Sequence, residues 1–216
     1  MRTNAFAATA GNKPDSSGSI LWQALRSSLV FIVLCGVVYP LVSTGAAQLL
    51  FPREANGSLV KDGSGQIVGS ALIGQPFKDP KYFQGRVSSI EYNAAGSGSN
   101  NYAPSNPALL ERVNTSIAQW RTENPDVPIE QLPIALITNS GSGLDPHITP
   151  QSAAVQIPRI SKLTGLDEAE LKQLVEVNTE GRSLGLFGEN RVNVLKLNLQ
   201  LADRLAGKST APQVKG

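Results

Sequence analysis

The chain has 216 residues, of which 41% are hydrophobic, so it is long enough to form one ordinary domain with a packed core. Its 19 basic and 17 acidic residues give a formal net charge of +2, which excludes a strongly basic binder of nucleic acid or of an anionic membrane surface. A single cysteine and a single histidine exclude an internal disulfide, a Cys/His zinc site and an iron–sulfur cluster, because each needs at least two such residues.

The strongest signal in the chain is the run 27–52, which contains no Asp, Glu, Lys or Arg. A helix rises about 1.5 Å per residue, so crossing a hydrocarbon layer about 30 Å thick needs roughly 20 apolar residues. Residues 29–51 supply 23 and predict a single transmembrane helix. The alternatives are a buried core helix, which rarely lacks charge on every face, and a secretory signal peptide cleaved near the small residues 43–46.

Charges on the two sides of this helix indicate its orientation. Arg2, Lys13 and Arg26 precede it against a single acidic residue, Asp15, whereas residues 53–216 carry 16 basic and 16 acidic side chains. Positive residues favour the cytoplasmic side of a membrane. We therefore expect a cytoplasmic N-terminus and an extracytoplasmic C-terminal domain.

Pro40 lies in the middle of the predicted span. It removes one backbone donor and crowds the carbonyl of Gly36, which leaves a polar group uncovered in hydrocarbon. Ser43 and Ala47 have the small-xxx-small spacing that lets a second backbone approach closely. We predict that Gly36, Pro40, Ser43 and Ala47 pack against a partner helix. The alternative is an isolated anchor that tolerates a kink.

Composition divides the chain into four segments. Residues 1–18 and 207–216 are rich in small and polar residues without apolar periodicity, so we predict mobile tails, the first of them cytoplasmic. Residues 19–52 contain the transmembrane helix and its flank. Residues 53–206 are expected to form one extracytoplasmic domain.

The predicted strands of this domain are short runs of β-branched and aromatic residues at 67–73, around 82–92 and at 134–138. The first predicted helix begins at Asn106-Pro107, a capping residue followed by proline, and continues to about Glu123. Together they predict an α+β, or mixed α/β, domain attached to one N-terminal transmembrane helix.

Three further helices are predicted in the C-terminal third. The first starts at Thr149-Pro150, is interrupted at Pro158 and ends at Gly165; the second starts at Asp167. The last is expected from about Val194, although the same residues also alternate like a strand. The helix–turn–helix pattern does not indicate DNA binding, because the domain is neutral and expected outside the cytoplasm.

The segment 138–150, TNSGSGLDPHITP, leaves a predicted strand through small residues and enters a helix. Backbone N–H groups in such a loop can bind an anion at the helix start, but neither a GK[ST] nor a GxGxxG motif is present. We interpret the segment as a tight structural turn. Its defining residues are Ser140, Gly141, Gly143, Asp145, Pro146 and His147.

His147 also raises the hypothesis of a membrane-anchored periplasmic hydrolase, with Ser142 and Asp145 nearby in sequence. The spacing argues against it, because triad members come from separate elements and a DPH tripeptide does not easily place the Asp behind its own imidazole. A G-x-S-x-G elbow is also missing. We therefore expect His147 to be a hydrogen-bonded structural residue. A cleaved, secreted binding domain is a further alternative.

Several motifs occur in a characteristic order: Tyr39-Pro40 in the span, then GSALIGQPF, YFQGR, SNP, SGSGLDPHITP, QIPR and RVNVLKLNLQL. This series resembles the C subunit of the bacterial high-affinity potassium-transporting P-type ATPase, the Kdp complex. The resemblance covers nearly all of residues 20–205.

The resemblance implies an accessory subunit of the bacterial inner membrane that has no catalytic residues of its own. Its expected partners are a potassium-channel-like A subunit, an ATP-hydrolysing B subunit, a small F subunit and the lipid bilayer, with no nucleic acid. Potassium and ATP are used by the complex, and we expect no cofactor or metal bound by this chain. The family is described as a catalytic chaperone that raises the ATP affinity of the B subunit, which carries over a nucleotide contact to Gln156. An extracytoplasmic domain cannot reach cytoplasmic nucleotide, so a cap that braces the A and B subunits fits the expected topology better.

Overall fold

A computed structural model describes residues 17–207, which belong to two units, 1–56 and 57–216. Helix α1 already begins at Ser17, inside the first segment predicted as a tail. The rest of that segment, residues 1–16, and residues 208–216 of the second predicted tail lie outside the described residues.

The first unit is a continuous helical rod followed by one short helix. Its elements are α1 (Ser17–Val33), a π-helical turn (Leu34–Val38), α2 (Tyr39–Leu50) and α3 (Pro52–Ala55). The apolar part, Gly18–Leu50, has 33 residues and none of its most apolar stretch is buried within the chain. At about 1.5 Å per residue it is about 50 Å long, more than the hydrocarbon layer requires. The described residues therefore contain one apolar helix long enough to cross a membrane, as expected.

The second unit contains two small antiparallel sheets. Strands β1 (Leu59–Lys61) and β2 (Ile67–Ser70) form a hairpin. Its turn is closed by Asp62, whose carboxylate accepts from the backbone N–H groups of Ser64 at 2.9 Å and Gln66 at 3.0 Å. The second sheet has the order β3-β5-β4, with strands β3 (His147–Ile148), β4 (Thr179–Glu180) and β5 (Arg191–Asn193).

The described part of this unit also has five α-helices, and their capping residues match the predicted starts and stops. They are α4 (Pro107–Glu123), α5 (Pro150–Ala154), α6 (Ile157–Thr164), α7 (Glu168–Val177) and α8 (Val194–Leu205). The side chains of Asn106, Thr149 and Asn193 accept from backbone N–H groups at the first turns of α4, α5 and α8. Gly165 ends α6 with a φ of 72°, which a residue with a Cβ rarely adopts. The mixed helix-and-sheet class is confirmed.

Two of the predicted strands are wrong. The segment 82–92 forms no named strand, and only Val87 makes an isolated bridge, to Asn139. The segment Ile134–Leu136 is a 3-10 turn, since Pro133 fixes the preceding φ near −65° and the hydroxyl of Thr138 turns back to donate to the carbonyl of Ile134 at 2.9 Å. The backbone geometry fixed by proline and the side-chain hydrogen bonds outweigh the local β propensity of these residues.

The predicted interruption at Pro158 is displaced. The helical segment breaks at Val155–Gln156, and Pro158 lies in the first turn of α6. A first-turn position suits proline, because the N–H groups there have no intrahelical acceptor.

The hydrophobic core of the second unit is formed mainly by α5 to α8 and the three-stranded sheet. Phe83 adds an aromatic side chain from residues 82–92, called here the irregular segment, and 0% of its surface is exposed. The buried apolar residues that pack together include Ile148, Ala153, Ile157, Ile160, Leu171, Leu174, Val192, Leu197 and Leu201.

Candidate functional site

The signature loop, residues 138–150, is closed by its own small polar side chains. The hydroxyl of Ser140 accepts from the backbone N–H of Gly143 at 3.1 Å, and the hydroxyl of Ser142 accepts from that of Leu144 at 3.1 Å. The two hydroxyls are 3.2 Å apart. Both N–H groups are thus already paired inside the loop, which favours the tight structural turn over an anion cradle.

The loop packs tightly against residues 88–98. The hydroxyl of Ser88 donates to the carbonyl of Gly143 at 2.7 Å, and the N–H of Gly98 donates to that of Ser142 at 2.9 Å. A Cβ added at Gly143 would lie 2.5 Å from a side-chain carbon of Ile90, and the φ of this residue is +70°. Glycine is therefore required here by both space and backbone conformation. Gly141, by contrast, has open space around it.

Asp145 connects the loop to Arg86. Its carboxylate accepts from the Arg86 guanidinium at 3.1 Å and from the backbone N–H of His147 at 2.9 Å. Partial burial alone would raise the pKa of Asp145, but the nearby His147 side chain, the His147 backbone N–H and the Arg86 guanidinium outweigh that effect, so the pKa lies below its usual value. Asp145 thus forms an ion pair that joins two segments 59 residues apart in the sequence.

His147 is half-buried in strand β3, where it pairs with Asn193 of β5. Its Nδ1 lies 3.7 Å from the nearer oxygen of Asp145. This separation is too long for a hydrogen bond, so the tripeptide does not hold the carboxylate against the imidazole as a catalytic triad would. Pro146, between them, is buried, and its carbonyl accepts from the N–H of Val194 at 3.0 Å. The Ser142 hydroxyl has its partners inside the loop, and nothing in the described residues supports the hydrolase alternative.

Gln156 is fully buried, and its side-chain amide makes four hydrogen bonds. The amide nitrogen donates to the carbonyls of Gln84 at 3.1 Å and Ser152 at 3.0 Å. The amide oxygen accepts from the N–H of Gln84 at 2.8 Å and from the guanidinium of Arg159 at 2.7 Å. Its two donor hydrogens and two acceptor positions are all used. A nucleotide contact at Gln156 would require this network to open.

Arg159 extends the same network and is 5% exposed. Its guanidinium donates to the side chain of Asn124 at 2.9 Å and to the carbonyls of Tyr82, at 3.3 Å, and Pro80. Burial lowers the pKa of the guanidinium, with the carboxylate of Glu123 opposing that shift, but arginine stays protonated at any physiological pH. The charge is therefore stabilised largely by hydrogen bonds to carbonyl and amide oxygens.

Asn198 hydrogen-bonds to the backbone of Phe83, the residue before Gln84 in the irregular segment. Its side chain accepts from the N–H of Phe83 and donates to the carbonyl of Phe83, both at 2.8 Å. Asn193 acts similarly on Ala71, whose carbonyl accepts its amide at 2.8 Å. Sequence reasoning missed these asparagines. The available signal was an amide between the apolar positions Leu197 and Leu201 of an otherwise amphipathic helix.

The membrane helix contains a π turn immediately before Pro40. The N–H of Tyr39 donates to the carbonyl of Leu34 rather than to that of Cys35, and Pro40 has no N–H to offer. The carbonyl of Cys35 is thus left without a helical donor inside the described helix. The carbonyl of Gly36, predicted from the sequence to be uncovered, would take its α-helical bond from the N–H that Pro40 lacks.

The four residues predicted to meet a partner helix are distributed over two conformations. Pro40, Ser43 and Ala47 lie in α2 at spacings of three and four, so they share one face. Gly36 lies in the π turn, and a Cβ there would meet no heavy atom within 4 Å. All four have space for a neighbour as far as the described chain shows.

A cleft of about 570 Å³ lies beside Arg86 and Trp120. Its charged lining residues are of both signs: Lys78, Arg86, Glu91 and Glu123. A nucleoside triphosphate carries several negative charges and needs a surplus of positive groups, so this lining does not suit one. Among the described residues, no group of three or more His, Cys, Asp or Glu side chains is placed to hold a metal ion.

Comparison with known proteins gives consistent matches over most of the chain. Residues 21–203 match the family described as "K+-transporting ATPase, c chain", KdpC. A "Potassium-transporting ATPase KdpC subunit" of Bacillus cereus (strain B4264) is 60% identical over 187 residues, which is 87% of this chain and 97% of the relative. Proteins of the same name from Bacillus thuringiensis subsp. konkukian and Bacillus anthracis are each 58% identical over 183 residues, covering 85% of this chain and 95% of theirs.

Proposed function

The chain belongs to the KdpC family, the c chain of K+-transporting ATPase, and on that premise we propose that it is a non-catalytic accessory subunit that assembles and stabilises a potassium-importing ATPase complex. Its partners in this proposal are the channel-like A subunit, the ATP-hydrolysing B subunit and the small F subunit. Other subunits of the complex carry the potassium path and hydrolyse ATP.

One observation carries the accessory role: the polar residues of the signature motifs are hydrogen-bonded to other groups of the same chain. Asp145 fastens the loop to Arg86, and Gln156 is saturated by Gln84, Ser152 and Arg159. Side chains used in this way shape a surface and do not present free groups for chemistry. We therefore assign Gln156 to the framework of the domain and not to a nucleotide site.

In the proposed topology the chain crosses the inner membrane once, with its N-terminus in the cytoplasm. The excess of basic residues before the apolar helix supports this orientation. The second unit then lies on the side where potassium enters, and there it would brace the A and B subunits. In this arrangement it has no access to cytoplasmic ATP.

The membrane helix is proposed to be one contact with those subunits. The carbonyl of Cys35 lacks a helical donor next to Pro40, and an unpaired carbonyl in hydrocarbon costs several kcal/mol. A neighbouring helix with a polar side chain can cover it. Ser43 and Ala47 would allow that helix to approach closely.

Co-purification from detergent-solubilised membranes tests the proposal. A tagged chain is expected to recover the other three subunits together with potassium-stimulated ATPase activity. Ser43→Leu combined with Ala47→Leu should reduce their recovery several-fold while the variant still inserts into the membrane, because added bulk separates the two backbones. Gly45→Leu adds similar bulk about 200° around the helix from Ser43 and should have little effect.

Failure to recover any other subunit with the parent chain would overturn the accessory function. Equal recovery by the double variant and the Gly45→Leu control would remove only the contact assigned to the helix face. The orientation is tested separately with protease added outside the intact cytoplasmic membrane, which should digest the domain after Arg53. Digestion only after the membrane is permeabilised would reverse the topology.

A further inference from the structure

The loop between β4 and β5 exposes three large apolar side chains at its end. Leu184, Leu186 and Phe187, called here the apolar tip, are 89%, 76% and 65% exposed. A fully exposed phenylalanine alone presents about 150–250 Å², so the three together expose roughly 400 Å². Apolar patches of about this size are the largest on an ordinary soluble monomer and are often functional.

The backbone of this loop is ordered by its own hydrogen bonds. The N–H and carbonyl of Phe187 pair with the carbonyl and N–H of Ser183 at 3.0 and 2.9 Å, and the N–H of Leu186 donates to the carbonyl of Ser183 at 3.2 Å. At the base, Glu180 pairs with Arg191 in the sheet and through an ion pair of 3.0 Å. The apolar tip is therefore presented on a shaped loop.

The backbone conformation of Leu184 also indicates that the apolar tip is a binding surface. Its φ is +54°, in the left-handed region that a leucine seldom occupies. Folding alone would be served better by Gly or Asn at this position, and neither would expose a large apolar side chain. A hydrophobic residue in an unfavourable conformation, almost fully exposed, is explained if it is buried against something else.

We propose that the apolar tip docks into an apolar pocket on another subunit of the ATPase complex, an inference that rests on the proposed accessory function. About 400 Å² is half of the roughly 800 Å² that each partner contributes to an interface stable by itself. The tip therefore suits a partner already held by other contacts, and it is too small to sustain a dimer of this chain. An ordered loop also loses little conformational freedom when it docks.

The charge of the loop argues against a lipid surface as the partner. Residues 181–190 carry one basic and one acidic side chain, Arg182 and Glu189, and have no net charge. Loops and helices that bind lipid headgroups surround their apolar residues with an excess of Lys and Arg. A protein pocket needs no such excess.

Site-specific photocrosslinking in the assembled complex tests this inference. p-Benzoylphenylalanine replaces Phe187 in one variant and the 73% exposed Ile134 in a matched control. After illumination of the co-purified complex, position 187 is expected to crosslink to another subunit polypeptide, at a yield at least five-fold above position 134. A variant with Leu184→Asn, Leu186→Ser and Phe187→Ser should also release the chain from the complex several-fold faster than Leu110→Ser/Ile134→Ser.

The outcomes separate this inference from the proposed function. Crosslinking of position 187 to lipid, to a second copy of the chain, or to nothing, in a complex that still contains the other subunits, overturns the docking of the tip and leaves the accessory function intact. If the parent chain recovers no other subunit, the accessory function itself fails. Unchanged release of the triple variant from the complex also contradicts an anchoring role for the tip.

Discussion

Replacing Gln156 with leucine distinguishes a framework amide from a nucleotide ligand. The substitution keeps a side chain of similar volume, so the buried site is not emptied. It removes the partners of four groups: the N–H and the carbonyl of half-buried Gln84, the carbonyl of Ser152 and one guanidinium nitrogen of Arg159. No neighbouring strand can supply new partners for the Gln84 backbone, because the irregular segment belongs to no sheet.

The magnitude follows from the number of groups left unpaired. Each buried donor or acceptor without a partner costs about 1–3 kcal/mol. Arg159 retains the carbonyl of Tyr82 at 3.3 Å, which limits its loss. We expect the free energy of unfolding to fall by about 3–5 kcal/mol, a large share of the 5–15 kcal/mol typical of a domain. For a chain of this size the melting temperature should drop on the order of 10 °C.

The assay is thermal unfolding of the full chain in detergent, followed by circular dichroism in the aromatic region, where the buried Trp120 reports on packing. Gln151→Leu is the matched control, since Gln151 is exposed on the neighbouring helix α5, and it should change stability by no more than about 0.5 kcal/mol. Labelling with a photoreactive ATP analogue is measured on the same samples. A Gln156→Leu chain that melts with the parent but loses specific ATP labelling would refute the reasoning and restore Gln156 as a nucleotide ligand.

Two further predictions concern the signature loop. Asp145 has a pKa below its unfolded value, so its contribution to the free energy of unfolding is complete above about pH 4 and disappears as the pH falls through the lowered pKa. Asp145→Asn should therefore cost about 1–2 kcal/mol at pH 7, and chemical unfolding should show that this cost shrinks in more acidic buffer. A cost that does not change with pH would contradict the ion-pair assignment. His147→Gln should leave potassium-stimulated ATPase activity per assembled complex within a few-fold of the parent, because a lost general base lowers rates by about 10²–10⁴. Collapse of activity in a fully assembled His147→Gln complex would make the loop part of transport.

Elements determined by neighbouring residues were predictable from the sequence. The apolar helix needs only length and the absence of charge, both of which are visible in residues 27–52. Helix α4 begins at Asn106-Pro107 and ends at Glu123, as predicted, since the cap and the first-turn proline act within one turn. The family resemblance, carried by motifs along the whole chain, also required no structure.

Only the tertiary structure determines which side chains hydrogen-bond to the backbone of the irregular segment. Residues 82–92 have the composition of a strand, but Phe83 is held by Asn198, 115 positions away, and Gln84 by Gln156, 72 positions away. A buried backbone must pair its N–H and carbonyl groups, and here amide side chains from α8 and the α5–α6 break supply the partners that a neighbouring strand would have supplied. Local propensity contains no record of such distant partners. The same holds for Asp145, whose ion pair requires Arg86 from another part of the chain. The sequence determines which residues can form these bonds, and the fold alone determines which ones meet.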